Sequence, residues 1–175
     1  MKPDVTLHQG RYLSLIERDR WEFVSRSNAR CVVALVAVTP AGAIVLVEQY
    51  RKPVESNVIE LPAGLVGDLT DPDEPLLVAA ARELEEETGF VAAEMELLME
   101  CPSSAGMSDE VISFVLAKGL TRVGPGGGDA SENIEVHVVP LSEVDGWLAR
   151  QQAAGKPLDP KIYAALYWLL RETPA

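Results

Sequence analysis

The sequence predicts a mixed α+β fold, or an α/β/α sandwich, for a chain of 175 residues. Strand patterns come first, and a helix, further strands and two final helices follow, which differs from a regular βαβ repeat. Apolar residues make up 47% of the chain, enough for a packed core, and this content excludes general disorder. No dinucleotide or phosphate-loop fingerprint is present, because the glycines of residues 126–128 lack a preceding strand and a following helix.

The N-terminal half of the chain consists of strand patterns. Residues 11–26 alternate loosely around apolar and aromatic side chains, which predicts an N-terminal β hairpin or small sheet. Residues 31–39 and 44–49 are β-rich runs joined by a Pro-Ala-Gly turn. Residues 58–61 are expected to form another short strand.

A helix is predicted after the polar loop of residues 65–74. Pro75 suits its first turn. Leu77, Ala81 and Leu84 lie at i, i+4 and i+7, which predicts that they form the stripe facing the core.

Further strands and two helices complete the pattern. Strands are predicted over residues 95–101, 111–117 and 134–139, and the glycine-rich, acidic residues 124–133 between them predict a mobile loop. His137 alternates with its valine neighbours, so we expect it to be exposed rather than a metal ligand.

The two C-terminal helices are marked by their start signals. Ser142 can cap a helix that ends near residue 154, and an Asp-Pro pair at residues 159–160 opens the last helix. The expected apolar face of the last helix consists of Ile162, Leu166, Leu169 and Leu170. We expect residues 1–28 to be an N-terminal β extension and residues 29–175 to be the main domain.

The charge of the chain limits its partners. Its formal net charge is −12, and it has no basic run, so no nucleic-acid partner is expected. A small anionic substrate would need a local cation, which a bound metal ion would supply.

The compartment is predicted from cysteine usage and hydropathy. Cys31 and Cys101 lack metal-ligand spacing and are expected to be reduced thiols, as in the cytoplasm. The N-terminus has no apolar run typical of a signal peptide, and the longest apolar stretch, residues 31–38, is too short to cross a membrane. We therefore expect a cytoplasmic protein with no membrane partner.

Residues 82–90, which read Arg-Glu-Leu-Glu-Glu-Glu-Thr-Gly-Phe, carry the main chemical signal. On a helix, Glu83, Glu86 and Glu87 lie at i, i+3 and i+4, and their carboxylates crowd one face. Such oxygen ligands suit a hard divalent cation, Mg²⁺ above all. The alternative is that the cluster is a solvated acidic helix face that binds no ligand. Glu85 lies on a different face of the helix and is interpreted as solvated. Arg82 is expected to pair with one of these glutamates and to orient it.

These residues resemble the Nudix box, whose pattern is Gly, five residues, Glu, seven residues, and Arg-Glu-apolar-any-Glu-Glu-any-Gly-apolar. Every fixed position from Glu74 to Phe90 matches. Nine residues separate Gly64 from Glu74 instead of five, so the loop is four residues longer than in the family pattern. The resemblance implies the Nudix fold, an α/β/α sandwich with a mixed central sheet.

Other segments resemble the Nudix subgroup of ADP-ribose and nucleoside-diphosphate-sugar pyrophosphatases. Residues 47–51 are similar to its Glu-Gln-Tyr-Arg segment, residues 60–64 to its Glu-Leu-Pro-Ala-Gly and residues 104–110 to its Ser-Pro-Gly-x-Ser/Thr-x-Glu loop. Ala105 replaces the loop proline often taken as the mark of ADP-ribose specificity, so the broader substrate class is the expectation.

The resemblance implies Mg²⁺- or Mn²⁺-dependent hydrolysis of a nucleoside diphosphate sugar, with more than one ion. The metal ligands it implies are Glu83, Glu86, Glu87 and the backbone carbonyl of Ala63. It gives catalytic roles to Glu83, Glu86 and the late-loop Glu132, which is the first candidate for the general base or a further ligand. Its competitors for that role are Asp129, Glu110 and Glu135.

Substrate contacts are also implied by the resemblance. Arg51 would contact the diphosphate, although a surface salt bridge explains such an arginine equally well. Trp21 is either part of the N-terminal core or a platform for the base. Glu60 and Glu110 are candidates for contact with metal or substrate, and Gly106 for close backbone approach. The N-terminal residues of this subgroup commonly build a dimer, so we expect a homodimer.

Two further functions stay open beside this enzyme. One is a non-catalytic Nudix-like module that binds a nucleotide and regulates a partner. The other is a pyrophosphatase of nucleoside triphosphates or dinucleotides.

Overall fold

A small antiparallel sheet begins the computed structural model, which describes residues 3–67, 71–128 and 133–172. Its strands lie in chain order as β1 (Val5–Gln9), β2 (Leu13–Arg18) and β3 (Trp21–Arg26). The predicted N-terminal β structure is therefore present. A further strand, β1, extends it. All residues of β1 are exposed, so its burial shows no alternation between the two faces of the strand.

The central layer consists of two sheets, and its strands are β4 (Cys31–Ala37), β5 (Ala43–Arg51), β6 (Ser56–Glu60), β7 (Ala63–Val66), β9 (Glu94–Pro102), β10 (Val111–Lys118) and β12 (Glu135–Pro140). One sheet has the order β7-β4-β10-β9 and is mixed, because β4 and β10 are parallel while the outer pairs are antiparallel. The other has the order β12-β5-β6 and is antiparallel. A bridge between Val38 and Ile44 joins the two sheets, and β8 (Phe90–Val91) pairs separately with β11 (Thr121–Arg122).

Three helices cover the two faces of this layer: α1 (Leu76–Thr88), α2 (Val144–Ala153) and α3 (Lys161–Glu172). In β4, Val33 and Leu35 belong to the core under α1, whereas Ala34 and Val36 belong to the core under α2 and α3. This alternation buries both faces of the strand and confirms the α/β/α sandwich. None of the helices in the described ranges has the length and apolar content needed to cross a membrane.

The core-facing stripe of α1 differs from the predicted one. Leu84 is buried as expected, but Leu77 is 43% exposed and Ala81 is exposed as well. The buried face instead includes Ala79 and Ala80. The prediction was wrong by one position at the start of the helix, because α1 packs small alanines close to the sheet and leaves the larger leucine outside.

Three other local predictions were wrong. Residues 65–66 belong to β7 rather than to a polar loop, since pairing with β4 engages their backbone. Ser142 does not cap α2, because a 3₁₀ turn over Leu141–Glu143 precedes it and α2 begins at Val144. Leu170 is 73% exposed on α3, where Ile162 and Leu166 form the buried face.

Candidate active site

The box carboxylates lie on helix α1, whose ends are set by local chemistry. Pro75 stands at the N-cap, and Gly89 ends the helix with a φ of 72°, the left-handed conformation typical of a helix C-terminus. Within the helix, Glu87 is 3% exposed and the Glu83 side chain 12%, whereas the Glu86 side chain is 50% exposed. The helix therefore holds two carboxylates against the sheet and one at the surface.

The Pro-Ala-Gly segment lies directly against these carboxylates. The backbone N–H of Ala63 donates to Oε2 of Glu87 over 2.9 Å. A Cβ on Gly64 would lie 1.9 Å from Cδ of Glu83, so a larger residue here would force this side chain to move. This contact supports Gly64 as the glycine that opens the box.

Arg82 connects the carboxylates of the box. Its guanidinium donates to Oε1 of Glu74 over 3.1 Å, to Oε1 of Glu83 over 2.7 Å and to Oε2 of Glu86 over 3.2 Å. It also donates to the backbone carbonyl of Leu65 over 3.2 Å. The hydrogen bond with Glu74 and the charge of Glu83 raise the pKa of Arg82 against the opposing effect of burial. The predicted pairing of Arg82 with box glutamates is thus observed.

Glu74 anchors this guanidinium rather than pointing to solvent. The hydrogen bond from Arg82 lowers the pKa of Glu74, burial opposes this, and the N–H of Gly67 lowers it further. That N–H lies 3.2 Å from Oε2. Residues 68–70 of the longer box loop lie outside the described parts, while Glu74 lies beside Arg82.

Arg51 and Glu60 form an ion pair on the same side of the sheet. Nε of Arg51 donates to Oε1 of Glu60 over 2.8 Å, and Nη2 of Arg51 donates to Oε2 of Glu60. Arg51 lies six residues after Val45 in β5 and therefore on the same face of the strand. Val45 packs in the core under α1, so the pair faces the box helix. Glu60 is 5% exposed, whereas the Arg51 side chain is 42% exposed.

The N-terminal sheet contributes Trp21 to a cavity of about 360 Å³. Nε1–H of Trp21 donates to the carbonyl of Gly106 over 3.1 Å, and the residue is 63% exposed. The cavity is lined by Arg18, Trp21, Phe23, Ala105, Ser108 and Asp109. The structure therefore places Trp21, Ala105 and Gly106 close to one another.

Glu110 is held by the N-terminal sheet. Nε of Arg26 donates to its Oε1 over 2.9 Å. The neighbouring backbone also joins the two parts, because the N–H of Val24 donates to the carbonyl of Met107 over 2.8 Å. Glu110 is thus in an ion pair beside the cavity.

The four candidates for the general base lie in different parts of the chain. Glu132 and Asp129 lie outside the described residues. Glu135, on β12, lies 3.9 Å from Nδ1 of His137 and has a 71% exposed side chain. Its strand neighbour His137 packs on Trp147 of α2, which is the side of the sheet opposite α1.

A second polar cluster surrounds Glu48, which the sequence pattern did not single out as a site. Glu48 is 4% exposed, and its Oε2 lies 2.6 Å from Nζ of Lys156 and 3.2 Å from Nε2 of His137. The expectation of an exposed His137 was wrong, because Glu48 and Trp147 cover its ring. The ligand atoms of Glu48, Glu135 and His137 lie within 4.8 Å of one another, but Lys156 already neutralises Glu48.

The sequence signal for this cluster is a single glutamate, Glu48, that directly follows the apolar run of residues 43–47 in β5. Burial alone would raise the pKa of Glu48, but hydrogen bonds from Lys156, Asn57 and His137 outweigh it and leave the pKa lowered. Only alternation along β5 could have indicated that Glu48 and Arg51 face opposite sides.

Comparison with known proteins assigns the family. The model of the NUDIX domain matches residues 28–166. The chain belongs to the Nudix family. The matched range contains the box helix, the Arg51–Glu60 pair and the central sheets of the sandwich.

Curated relatives of this Nudix chain include pyrophosphatases and an activator. It is 42% identical over 112 residues to the methanol dehydrogenase activator of Bacillus methanolicus, covering 63% of this chain and 58% of that protein. It is 39% identical over 89 residues to the ADP-ribose pyrophosphatase of Bacillus subtilis, covering 51% and 46% of the two chains. For the ADP-ribose pyrophosphatase of Mycobacterium tuberculosis the identity is 36% over 130 residues, covering 74% and 58%. The matched regions thus span about half the length of these relatives.

A solved structure titled as an ADP compounds hydrolase has the same fold. It superposes with a TM-score of 0.67 at 22% identity and covers 97% of this chain and 90% of its own. At this identity the likeness concerns the fold, which agrees with the α/β/α sandwich.

Proposed function

We propose that this Nudix protein hydrolyses the diphosphate bond of ADP-ribose or a related nucleoside diphosphate sugar in the presence of Mg²⁺. The products would be a nucleoside monophosphate and a sugar phosphate. The observation that carries the proposal is the box itself: Glu83 and Glu87 lie against Gly64 and Ala63. Arg82 donates hydrogen bonds to Glu83 and Glu86. The relatives named as ADP-ribose pyrophosphatases support the substrate class.

The donor set fits a hard divalent cation. The ligands would be the carboxylates of Glu83, Glu86 and Glu87 and the carbonyl of Ala63, all of them oxygen donors, as Mg²⁺ and Mn²⁺ prefer. The missing Cβ of Gly64 leaves room for the Glu83 carboxylate beside the strand. Bound ions, of which we propose more than one, would neutralise the diphosphate and lower the pKa of a bound water.

The protein's own residues would bind and orient the substrate. Arg51 would donate to a phosphate oxygen while Glu60 holds its guanidinium in place. Trp21 would stack on the base or on another planar group in the cavity that it lines with Ala105, beside the backbone of Gly106. Glu110 would support this cavity through Arg26, and Glu132 is our candidate for the base that takes a proton from the attacking water.

The decisive experiment compares two neighbouring glutamates. With ADP-ribose and Mg²⁺, phosphate released after phosphatase coupling is measured for the wild type, Glu86→Gln and Glu85→Gln. We expect Glu86→Gln to lower the rate by about 100-fold or more, since metal ions stabilise the transition state by several kcal/mol. Glu85, which is exposed on another helix face, is the matched control and should keep the wild-type rate. Equal background rates of phosphate release in all three proteins would contradict the proposed hydrolase activity.

The substrate is identified by competition at fixed Mg²⁺ among ADP-ribose, GDP-mannose, FAD, NADH and dGTP. We expect a nucleoside diphosphate sugar to be preferred. Ala105 stands where the resemblance has the proline often taken as the mark of ADP-ribose specificity, so we expect a broader sugar range. A clear preference for dGTP would instead support the alternative of a triphosphate pyrophosphatase.

A regulatory role is the second candidate function, and the similarity to the methanol dehydrogenase activator favours it. A regulator of this kind would bind the nucleotide through the same residues without turnover. Calorimetric binding of ADP-ribose with no product formed over hours would support this role. Product formation that Glu86→Gln abolishes would support the hydrolase.

We also propose a cytoplasmic homodimer. The N-terminal sheet exposes the apolar residues Val5, Leu7, Tyr12 and Leu13. Four exposed apolar side chains within residues 5–13 suit a surface that a second copy covers. Cys31 and Cys101 are free thiols, which agrees with a reducing compartment.

A further inference from the structure

Helix α1 ends in an unfavourable charge arrangement. Its last turn contains Glu85, Glu86 and Glu87 and no basic residue. The C-terminal end of a helix carries a partial negative charge, and its last carbonyls have no partner within the helix. Acidic side chains there repel both the helix end and one another. The turn that carries the proposed metal ligands therefore needs donors from elsewhere in the chain.

Backbone N–H groups of glycines supply these donors. Gly127 donates to the carbonyl of Glu87 over 2.8 Å, and Gly128 to the carbonyl of Glu86 over 3.0 Å. Gly89, the C-cap of α1, donates to the carbonyl of Glu85 over 2.8 Å in the ordinary helical pattern. Each of the three acidic residues thus has its backbone carbonyl bound by a glycine.

The glycine loop, which we define as residues 122–128, touches the helix backbone directly. A Cβ on Gly126 would lie 2.4 Å from the carbonyl carbon of Thr88 and 2.7 Å from the carbonyl oxygen of Glu87. Its φ is 72°, a conformation that other residues rarely adopt. Such an approach is open to glycine alone, and the loop is therefore seated on the helix end instead of extending into solvent.

Arg122 holds the glycine loop in this place. Its guanidinium donates to the carbonyls of Gly124 over 3.1 Å and Pro125 over 3.2 Å. The same group lies 5.6 Å from the centre of the Phe90 ring, a buried residue that directly follows the helix cap. Arg122 thus fastens the loop to the chain segment where α1 ends.

We propose that the glycine loop is a clamp that positions Glu86 and Glu87 for metal binding, with Gly126 and Arg122 as its positioning residues. The inference rests on the proposed function of the box as a divalent-metal site. The clamp donates hydrogen bonds to the last carbonyls of the helix and fixes the backbone of the last turn. The carboxylates therefore stay close together despite their mutual repulsion. Loss of the clamp would let this turn fray and would separate the ligands.

The test compares Gly126→Ala with Gly155→Ala in the full-length protein. Both glycines have a positive φ, but a Cβ on Gly155 meets nothing within 4 Å, so the control carries the backbone strain without the contact. Mn²⁺ binding is measured by calorimetry without substrate, and thermal unfolding is recorded in parallel. We expect Gly126→Ala to weaken Mn²⁺ binding about 10- to 100-fold, the usual effect of losing support around a metal site, and Gly155→Ala to keep it.

A second variant keeps the test decisive if Gly126→Ala does not fold. Arg122→Met removes the two hydrogen bonds to the loop, and Arg122→Lys restores the charge with fewer donors. We expect Mn²⁺ affinity in the order wild type, Arg122→Lys, Arg122→Met, with Arg150→Met of α2 as a surface control. Unchanged affinity in a folded Gly126→Ala or Arg122→Met would overturn the clamp.

These results separate the clamp from the proposed function. A wild type that binds Mn²⁺ but hydrolyses no nucleotide would remove the hydrolase, while the affinity losses would still support the clamp. An active wild type whose clamp variants bind Mn²⁺ equally well would leave the hydrolase in place and remove the clamp.

Discussion

At the scale of single residues, the box is an arginine surrounded by carboxylates. Arg82 binds Glu74, Glu83 and Glu86 at once, which reduces the repulsion among them before any ion is bound. A guanidinium has several donors in a fixed plane and can therefore orient more than one carboxylate. The presence of both Arg82 and Glu74 in the motif is explained by their ion pair, which orients the box carboxylates. Neither residue needs to contact the substrate for this role.

Gly64 sets the space beside Glu83, and its replacement tests that contact. Gly64→Ala should displace the Glu83 side chain, because the new Cβ would fall 1.9 Å from its Cδ. We expect hydrolysis of ADP-ribose to drop about 100-fold, the order of loss that a shift of about 1 Å causes at a reacting centre.

The control for this prediction is Gly146→Ala in helix α2. The nearest atom to its new Cβ is the end of the Arg150 side chain at 3.5 Å, so the change is tolerated. It should leave the rate unchanged and stabilise the helix by up to about 1 kcal/mol. A wild-type rate for Gly64→Ala would show that Glu83 does not need its observed position.

At the scale of elements, strand β5 serves both faces of the sheet. Arg51 and its partner Glu60 lie on the face of α1, while Glu48 points toward α2 and binds Lys156 after that helix. The strand that presents a proposed phosphate-binding arginine is therefore held from behind by a buried ion pair. Asn57 of β6 also donates to Glu48, over 3.1 Å, so the pair of strands is tied together.

Lys156→Met tests this buried pair through stability and its pH dependence. Loss of the partner should destabilise the protein by about 1–3 kcal/mol at pH 7, because a buried carboxylate loses a charged donor. The pKa of Glu48 is lowered in the folded protein, so its stabilisation is present above the unfolded pKa and is lost as the pH falls through the folded value.

The difference in unfolding free energy between the wild type and Lys156→Met should therefore shrink below the ordinary glutamate pKa of about 4.3. Urea unfolding at several pH values measures it. Lys118→Met is the control: Lys118 lies 3.6 Å from the exposed Glu96, and such surface pairs contribute about 1 kcal/mol or less. A loss that stays constant down to acidic pH would contradict the charge-based explanation.

At the scale of the whole molecule, the N-terminal sheet is attached to the main domain through the loop that lines the cavity. Contacts from Trp21, Val24 and Arg26 reach residues 106–110, whereas β1 is exposed along its whole length. The sheet therefore contacts this loop through β3 at one edge, while β1 at the other edge is exposed in the single chain.

We predict that the 18.9-kDa chain is a dimer in solution at micromolar concentration. Light scattering should give about twice the chain mass, and Leu7→Glu should shift it toward the monomer, because a charge in an apolar interface loses its hydration. Leu170→Glu, on an exposed leucine of α3, is the matched control and should remain dimeric. A monomeric wild type would contradict the dimer.

The sequence by itself determined the layered α+β fold, helix α1 with its ends, and the carboxylate cluster. These features depend on local chemistry: the 3.6-residue period places Glu83, Glu86 and Glu87 together, and Gly89 ends the helix wherever it packs. The family motif adds Arg82 and Glu74, which are close along the same segment. Nothing outside about 30 residues is needed to predict this part of the site.

Only the tertiary structure decided what meets these carboxylates. Pairing with β4 made a strand of Ala63–Val66, and docking on α1 turned the glycines expected in a mobile loop into donors for its last turn. Burial of Glu48 depends on Lys156, more than 100 residues away. Such contacts join positions that are distant along the chain, and a local pattern cannot encode them because their partners are chosen by packing.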